Sequence, residues 1–238
     1  MKKDSKIILA LDVSSLEEAK PVVEALAPRV GWIKVGLELI TSVGGPQVVS
    51  FIHSCGGKVF YDGKFNDIPN TVCAAAKAVA AMNAEMFNVH ASSGIEAMTA
   101  AAKHKGLSIA LAVTVLTSLE ENNAHLIFGA PSKAKVLQFA RDAKMAGFDG
   151  IICSPQELEF LGKQKELAGM MKVTPGVRPL WAAVGDQKRV MTPGEAIKAG
   201  ASMLVIGRPI TKPPAEIGSP LEAVKRIEEE IEAAEAAK

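Results

Sequence analysis

Eight short apolar runs recur along this chain of 238 residues, each followed by a longer segment of helical periodicity. The runs occupy 7–11, 32–35, 58–61, 86–89, 109–113, 150–153, 171–174 and 203–206. The amphipathic segments occupy 16–26, 46–55, 70–82, 95–104, 133–145, 156–163, 193–198 and 220–233. Strands that alternate with helices pair in parallel through right-handed crossovers. Eight units of roughly 30 residues match the size of a closed (β/α)8 TIM barrel. An open doubly wound sheet is the alternative. No linker, low-complexity stretch or glycine-rich dinucleotide fingerprint interrupts the pattern, so residues 1–238 read as a single domain.

In such a barrel the chemistry belongs at the carboxyl ends of the strands. The polar residues that follow the runs are Asp12, Lys34, Asp62 with Lys64, His90, Thr114 with Thr117, Ser154, Arg178 and Arg208. The third corner reads Asp62-Gly63-Lys64-Phe65-Asn66-Asp67. Continued strand alternation puts Asp62 and Lys64 on one side of the chain. Pro69 then ends the strand and suits the first turn of a helix. Taken alone, an Asp-Lys pair is also what a solvated surface ion pair looks like. The seventh and eighth corners carry Gly176 with Arg178 and Gly207 with Arg208, and a stretch through Gly185-Asp186-Gln187-Lys188-Arg189 lies between them. Glycine lets backbone N–H groups approach an anion, and a guanidinium offers a planar fork of donors, so these corners are a candidate phosphate site. Tight turns and an arginine–carboxylate pair are the structural alternative.

Composition narrows the function classes. Lys and Arg number 27 against 26 Asp and Glu, aromatic content is 5%, and no run of five like charges occurs, which argues against nucleic acid as partner. No apolar stretch is long enough for a membrane span, and Met1-Lys2-Lys3-Asp4 lacks the apolar core of a secretion signal, so a cytoplasmic protein is expected. The acidic segment 226–238 reads as a solvated helix end. Cys55, Cys73 and Cys153 are odd in number and widely spaced, and read as small buried apolar residues.

Together, Ala10-Leu11-Asp12, Ile33-Lys34-Val35-Gly36, the segment from Asp62 to Thr71, Asn88-Val89-His90-Ala91, Val115-Leu116-Thr117-Ser118, Thr174-Pro175-Gly176-Val177-Arg178-Pro179, Gly185-Asp186-Gln187 and Ile206-Gly207-Arg208-Pro209 resemble the orotidine 5′-monophosphate decarboxylases over about 7–210. The resemblance implies cofactor-free and metal-free decarboxylation of that nucleotide to uridine 5′-monophosphate, the last step of pyrimidine nucleotide synthesis. It implies a charge array of Lys34, Asp62, Lys64 and Asp67, with Lys64 protonating C6. Asp12 and Lys34 are then expected at the ribose, Thr117 at the nucleotide, and Arg178, Gln187, Gly207 and Arg208 at the phosphate. Asp67, Ile68 and Thr71 are expected substrate contacts, with Asp67 and Thr71 reaching the neighbouring site of a homodimer.

The chemistry has its own logic. Loss of carbon dioxide from an sp2 ring carbon leaves an anion without an electron sink, and a fixed ammonium there is a preorganised stabiliser. His90 and Thr114 read as structural. Gly63 departs from the family's larger residue, and the expected consequence is lost packing under the following helix. Two other functions stay open: a metal-dependent decarboxylase or aldolase acting on a sugar phosphate, and a noncatalytic nucleotide-binding barrel. Relatives of the first kind place a magnesium-binding carboxylate at the corner held here by Lys34, whose charge repels a divalent cation.

Overall fold

The computed structural model describes residues 5–182 and 191–237. Its strands are β1 (Ile7–Leu11), β2 (Trp32–Val35), β3 (Val59–Phe65), β4 (Met86–His90), β5 (Ile109–Val113), β6 (Gly150–Ile152), β7 (Met171–Thr174) and β8 (Met203–Ile206). All pair in parallel in chain order, and Ile7, Ile8 and Leu9 of β1 pair with Leu204, Val205 and Ile206 of β8. That last ladder closes the barrel and removes the open-sheet alternative.

Around it lie α1 (Leu16–Leu26), α2 (Leu37–Val43), α3 (Gly45–Ser54), α4 (Pro69–Ala81), α5 (Ile95–His104), α6 (Glu121–Phe128), α7 (Ser132–Met145), α8 (Leu158–Gly162), α9 (Pro193–Lys198), α10 (Arg208–Thr211) and α11 (Pro220–Ala236). Helix starts follow local chemistry. The Ser15 and Ser219 side chains accept the backbone N–H of Glu18 and Glu222, and Thr192 with Glu195 forms a capping box. Pro69 opens α4 after an extended Ile68.

Strand alternation divides the interior in two. Ile8, Phe60, Met86, Leu111 and Val173 form one buried cluster with Trp32, Ile109, Ile152, Met203 and Val205 against it, while the remaining core packs between strands and helices. Two residues beyond members of that plug, on the same side of their strands, stand Ala10, Lys34, Asp62, Asn88 and Val113. The plug is thus the floor under a polar layer. At the opposite, amino end, residues preceding one strand hold the start of the strand before it: Val59 N donates to Glu85 Oε2 (2.7 Å), Ala110 N to Asp149 Oδ2 (2.7 Å) and Lys172 N to Ser202 Oγ (2.9 Å). Those side chains serve the fold.

Several sequence expectations need correction. β3 runs on to Phe65, and α2, α6 and α10 are additional helices. The sixth helical segment divides into a 3-10 turn, Pro155–Glu157, and the short α8. The acidic segment 226–238 is only half solvated, because Ile227, Ile231 and Ala234 bury one face of α11. Cys153 is buried, but Cys55 and Cys73 are only partly so. Finally, Gly63 leaves no packing defect under α4. The rings of Tyr61 and Phe65, with centroids 6.1 Å apart, close over it, and a Cβ there would lie 2.9 Å from Phe65 and 3.0 Å from Tyr61.

Candidate active site

A cavity of about 290 Å³ opens at the carboxyl end of the barrel. Asp12, Lys34, Asp62, Lys64, Thr117, Arg178, Gly207 and Arg208 line it, with apolar walls that include Phe60, Val113, Leu116, Ile152 and Val205. Strand ends therefore assemble most of the residues singled out in the sequence.

Asp62 is the hub. Its Oδ2 lies 3.1 Å from Lys34 Nζ and its Oδ1 2.7 Å from Lys64 Nζ, while Asn88 Nδ2 donates to Oδ1 at 2.6 Å. Lys34 Nζ also lies 3.2 Å from Asp12 Oδ1. Gly36 leaves room for this contact, since a Cβ there would lie 3.3 Å from Lys34 Nζ and 3.6 Å from Asp12 Oδ1. Lys34 is 9% exposed and Asp62 5%. Burial opposes charge on both groups, but the pairing prevails. Burial pulls the Lys34 pKa down and the carboxylates of Asp62 and Asp12 push it up further, leaving it above its usual value. Burial pushes Asp62 up, whereas Lys34, Lys64 and Asn88 bring it below the usual carboxylate value. Lys34 and Asp62 are thus held as a buried pair of full charges.

The far end of the cavity is cationic. Burial, with the adjacent Arg208 guanidinium, lowers the Arg178 pKa. Arg178 Nε is buried without a hydrogen-bond partner among the described residues. A buried orphan donor beside a second guanidinium suits an anion with several oxygens. Gly176, with φ of 77°, makes the turn that carries the chain from β7 to Arg178. Arg178 N donates to Met191 O at 2.9 Å, so the bases of this corner are tied together. Gln187, with Gly185, Asp186, Lys188 and Arg189, lies outside the described residues.

Asp67, Ile68 and Thr71 do not join the cavity of their own chain. All three are exposed, Ile68 at 67%, and Asp67 Oδ1 accepts the N–H of Ile68 at 2.7 Å. His90 is half-buried at the end of β4 and outside the lining. Burial and the Lys64 charge lower its pKa against an opposing pull from Asp62, which favours a neutral ring at neutral pH. Thr114 is buried, and its Oγ1 donates to Ile152 O at 2.8 Å, the structural role expected of it. Ser154 is buried and also outside the lining. Asn88 stands in one of the motifs singled out, Asn88-Val89-His90-Ala91, but the sequence reading gave it no role. Strand alternation was its signal, because a polar residue two places beyond Met86 points into the barrel.

The orotidine 5′-phosphate decarboxylase / HUMPS family model matches residues 5–227. The orotidine 5′-phosphate decarboxylase of Syntrophomonas wolfei is 43% identical over 248 residues, covering 98% of this chain and all of the relative. That of Geotalea daltonii is 44% identical, covering 95% of this chain and 96% of the relative. Among solved structures, orotidine 5′-phosphate decarboxylase from Lactobacillus acidophilus superposes with a TM-score of 0.80 at 32% identity, covering 96% of this chain and 99% of that one.

Proposed function

Because the chain belongs to the orotidine 5′-phosphate decarboxylase / HUMPS family, we propose that it converts orotidine 5′-monophosphate to uridine 5′-monophosphate, with Lys64 as the proton donor. The observation that carries this reading is one cavity with a buried Lys34–Asp62–Lys64 array at one end and Arg178 beside Arg208 at the other. The arginines and Gly207 receive the phosphate, and Gln187 is assigned to the same end. Asp12 and Lys34 hold the ribose, and Thr117 touches the nucleotide. The pyrimidine ring then sits with C6 at Lys64. The bond from C6 to the carboxyl carbon breaks, its electron pair stays on C6, and the Lys64 ammonium gives that carbon a proton. Charge develops next to a cation whose position Asp62 already fixes, so little reorganisation is required. Phosphate binding far from the reacting carbon supplies energy that can be expressed in the transition state.

Asp67, Ile68 and Thr71 are assigned to the neighbouring site of a homodimer. Their exposure supports this, as do Leu37, Ile95, Leu126 and Ile127, exposed apolar residues on segments that leave β2, β4 and β5 on the same end of the barrel as Ile68. Exposed apolar residues at one end of a barrel suit an interface.

The competing reading is a metal-dependent enzyme acting on a sugar phosphate, and Lys34 speaks against it. Its ammonium occupies the space between Asp12 and Asp62, where a divalent cation would meet direct repulsion. A binding module alone gives no reason to bury Lys34 and Asp62. No described helix is long and apolar enough to cross a membrane. The test is ultraviolet absorbance of orotidine 5′-monophosphate with purified protein and excess chelator. Turnover that persists with chelator and vanishes in Lys64→Ala is expected. Absent turnover, with magnesium-dependent cleavage of a sugar phosphate, would replace this reading by the other.

A further inference from the structure

The structure assigns Asn88 as the positioning residue of the array, the side chain that sets both the direction of the Asp62 carboxylate and the backbone conformation of Lys64. β3 and β4 pair in simple register at Phe60↔Met86 and Tyr61↔Phe87, but the next pair is Phe65↔Val89. Four steps along β3 are thus matched by two along β4, so Asp62, Gly63 and Lys64 bulge opposite a single residue, two more than regular pairing holds. Asn88 is the residue of β4 that lies opposite this bulge. It is fully buried. Its Oδ1 accepts the Lys64 N–H at 2.7 Å and its Nδ2 donates to Asp62 Oδ1 at 2.6 Å. Asp62 Oδ1 in turn meets Lys64 Nζ at 2.7 Å, which closes a ring of contacts through three side chains.

Lys64 needs such a hold. Its φ of 47° lies in the left-handed region, where a residue with a Cβ is strained unless its surroundings over-determine it. Without the Asn88 oxygen the Lys64 N–H inside the bulge loses its acceptor. The amide has only one workable orientation, since reversal would set its oxygen against the Asp62 carboxylate and its NH2 against the Lys64 N–H. Leucine would satisfy neither partner. Aspartate would satisfy Lys64 while repelling Asp62, except when protonated. Asn88 does not line the cavity, so it acts through the two residues that do.

This assignment rests on the decarboxylase reading for its kinetic consequence and on geometry alone for its structural one, and the two are tested separately. Asn88→Ala is expected to lower kcat about 100-fold, the scale of a misplacement of about 1 Å. KM should change less than about threefold, because the phosphate end is untouched. Asn88→Asp keeps the shape and the acceptor. Its kcat relative to wild type should rise about tenfold for each unit that pH falls towards the pKa of the introduced carboxyl, because only the protonated form can donate to Asp62. A residue that merely filled space would give no such pH dependence. A crystal structure of ligand-free Asn88→Ala, or of Asn88→Asp at neutral pH if the alanine variant does not fold, should show Lys64 Nζ displaced from Asp62 Oδ1. Wild-type kcat in Asn88→Ala, a pH-independent Asn88→Asp ratio, or an unmoved Lys64 would overturn the assignment. Displacement in the crystal, together with a wild type that never decarboxylates the nucleotide, would leave the positioning role standing and remove the reaction.

Discussion

Asp62 carries the site's electrostatics in a single side chain, and its titration gives a signed test. Its folded-state pKa lies below the ordinary 3.8, so its contribution to stability is fully present above pH 3.8 and is lost as pH falls through the lower folded value. Lys34 mirrors this. Its folded pKa lies above 10.5, so its contribution is present below pH 10.5 and is lost as pH rises through the higher value. Asp62→Asn leaves Lys34 and Lys64 without the charge between them, and losing one member of a buried pair costs about 3–5 kcal/mol. Urea unfolding should therefore show a stability gap to wild type that is constant across neutral pH, persists at about pH 4 and closes only below that value. A gap already closed at neutral pH would mean that Asp62 is not held ionised. At the other end, Arg178→Gln removes a charged donor worth about 2 kcal/mol, or roughly 30-fold in kcat/KM for orotidine 5′-monophosphate. With orotidine, which lacks the phosphate, wild type and variant should react alike. Equal losses on both substrates would mean that Arg178 supports the fold and not the phosphate.

Among the elements, the strands were the most legible, and β3 shows where legibility ended. Alternation alone put Lys34 and Asp62 two residues above the apolar plug, which is why the polar corners could be read in advance. The same alternation put Lys64 on the side of Asp62, but not its left-handed φ or the two surplus residues of the bulge, because those depend on pairing with β4. The split of the sixth helical segment and the extra α2 and α6 escaped for a related reason: short helices are fixed by what they pack against more than by propensity. β6 illustrates such a tertiary constraint. A Cβ on Gly150 would lie 2.6 Å from both Cβ and O of Met171 on β7 and 3.0 Å from Leu111 Cδ2 on β5. Backbone cannot retreat as a flexible side chain can. Gly150→Ala should accordingly lower stability by about 3 kcal/mol, the upper range for overpacking, as measured by chemical denaturation. An unchanged midpoint would show that β6 and β7 can part without cost.

For the whole molecule, the closed barrel brings the ends of seven of its eight strands, all but β4, to one cavity, yet Asp67, Ile68 and Thr71 stand outside it. A chain that closes its barrel around this cavity and leaves these three exposed is, on the proposed reading, incomplete as a catalyst. A two-fold dimer resolves this, since each subunit would offer the same loop to the other. Mixing tests it without a structure. In a hybrid of Lys64→Ala with Asp67→Ala, one site combines both defects. The other combines the intact Lys64 of one chain with the intact Asp67 of its partner. Random reassortment of equal amounts makes half of the dimers hybrid with one good site in two, so about a quarter of wild-type activity per site should return. The parent proteins, each nearly inactive, set the baseline, and subunit exchange is verified by mass spectrometry of differently tagged chains. Recovery near that quarter places Asp67 in the partner's site. Complete exchange with no recovery would mean that Asp67 serves its own chain or none, and that the exposed loop has another use.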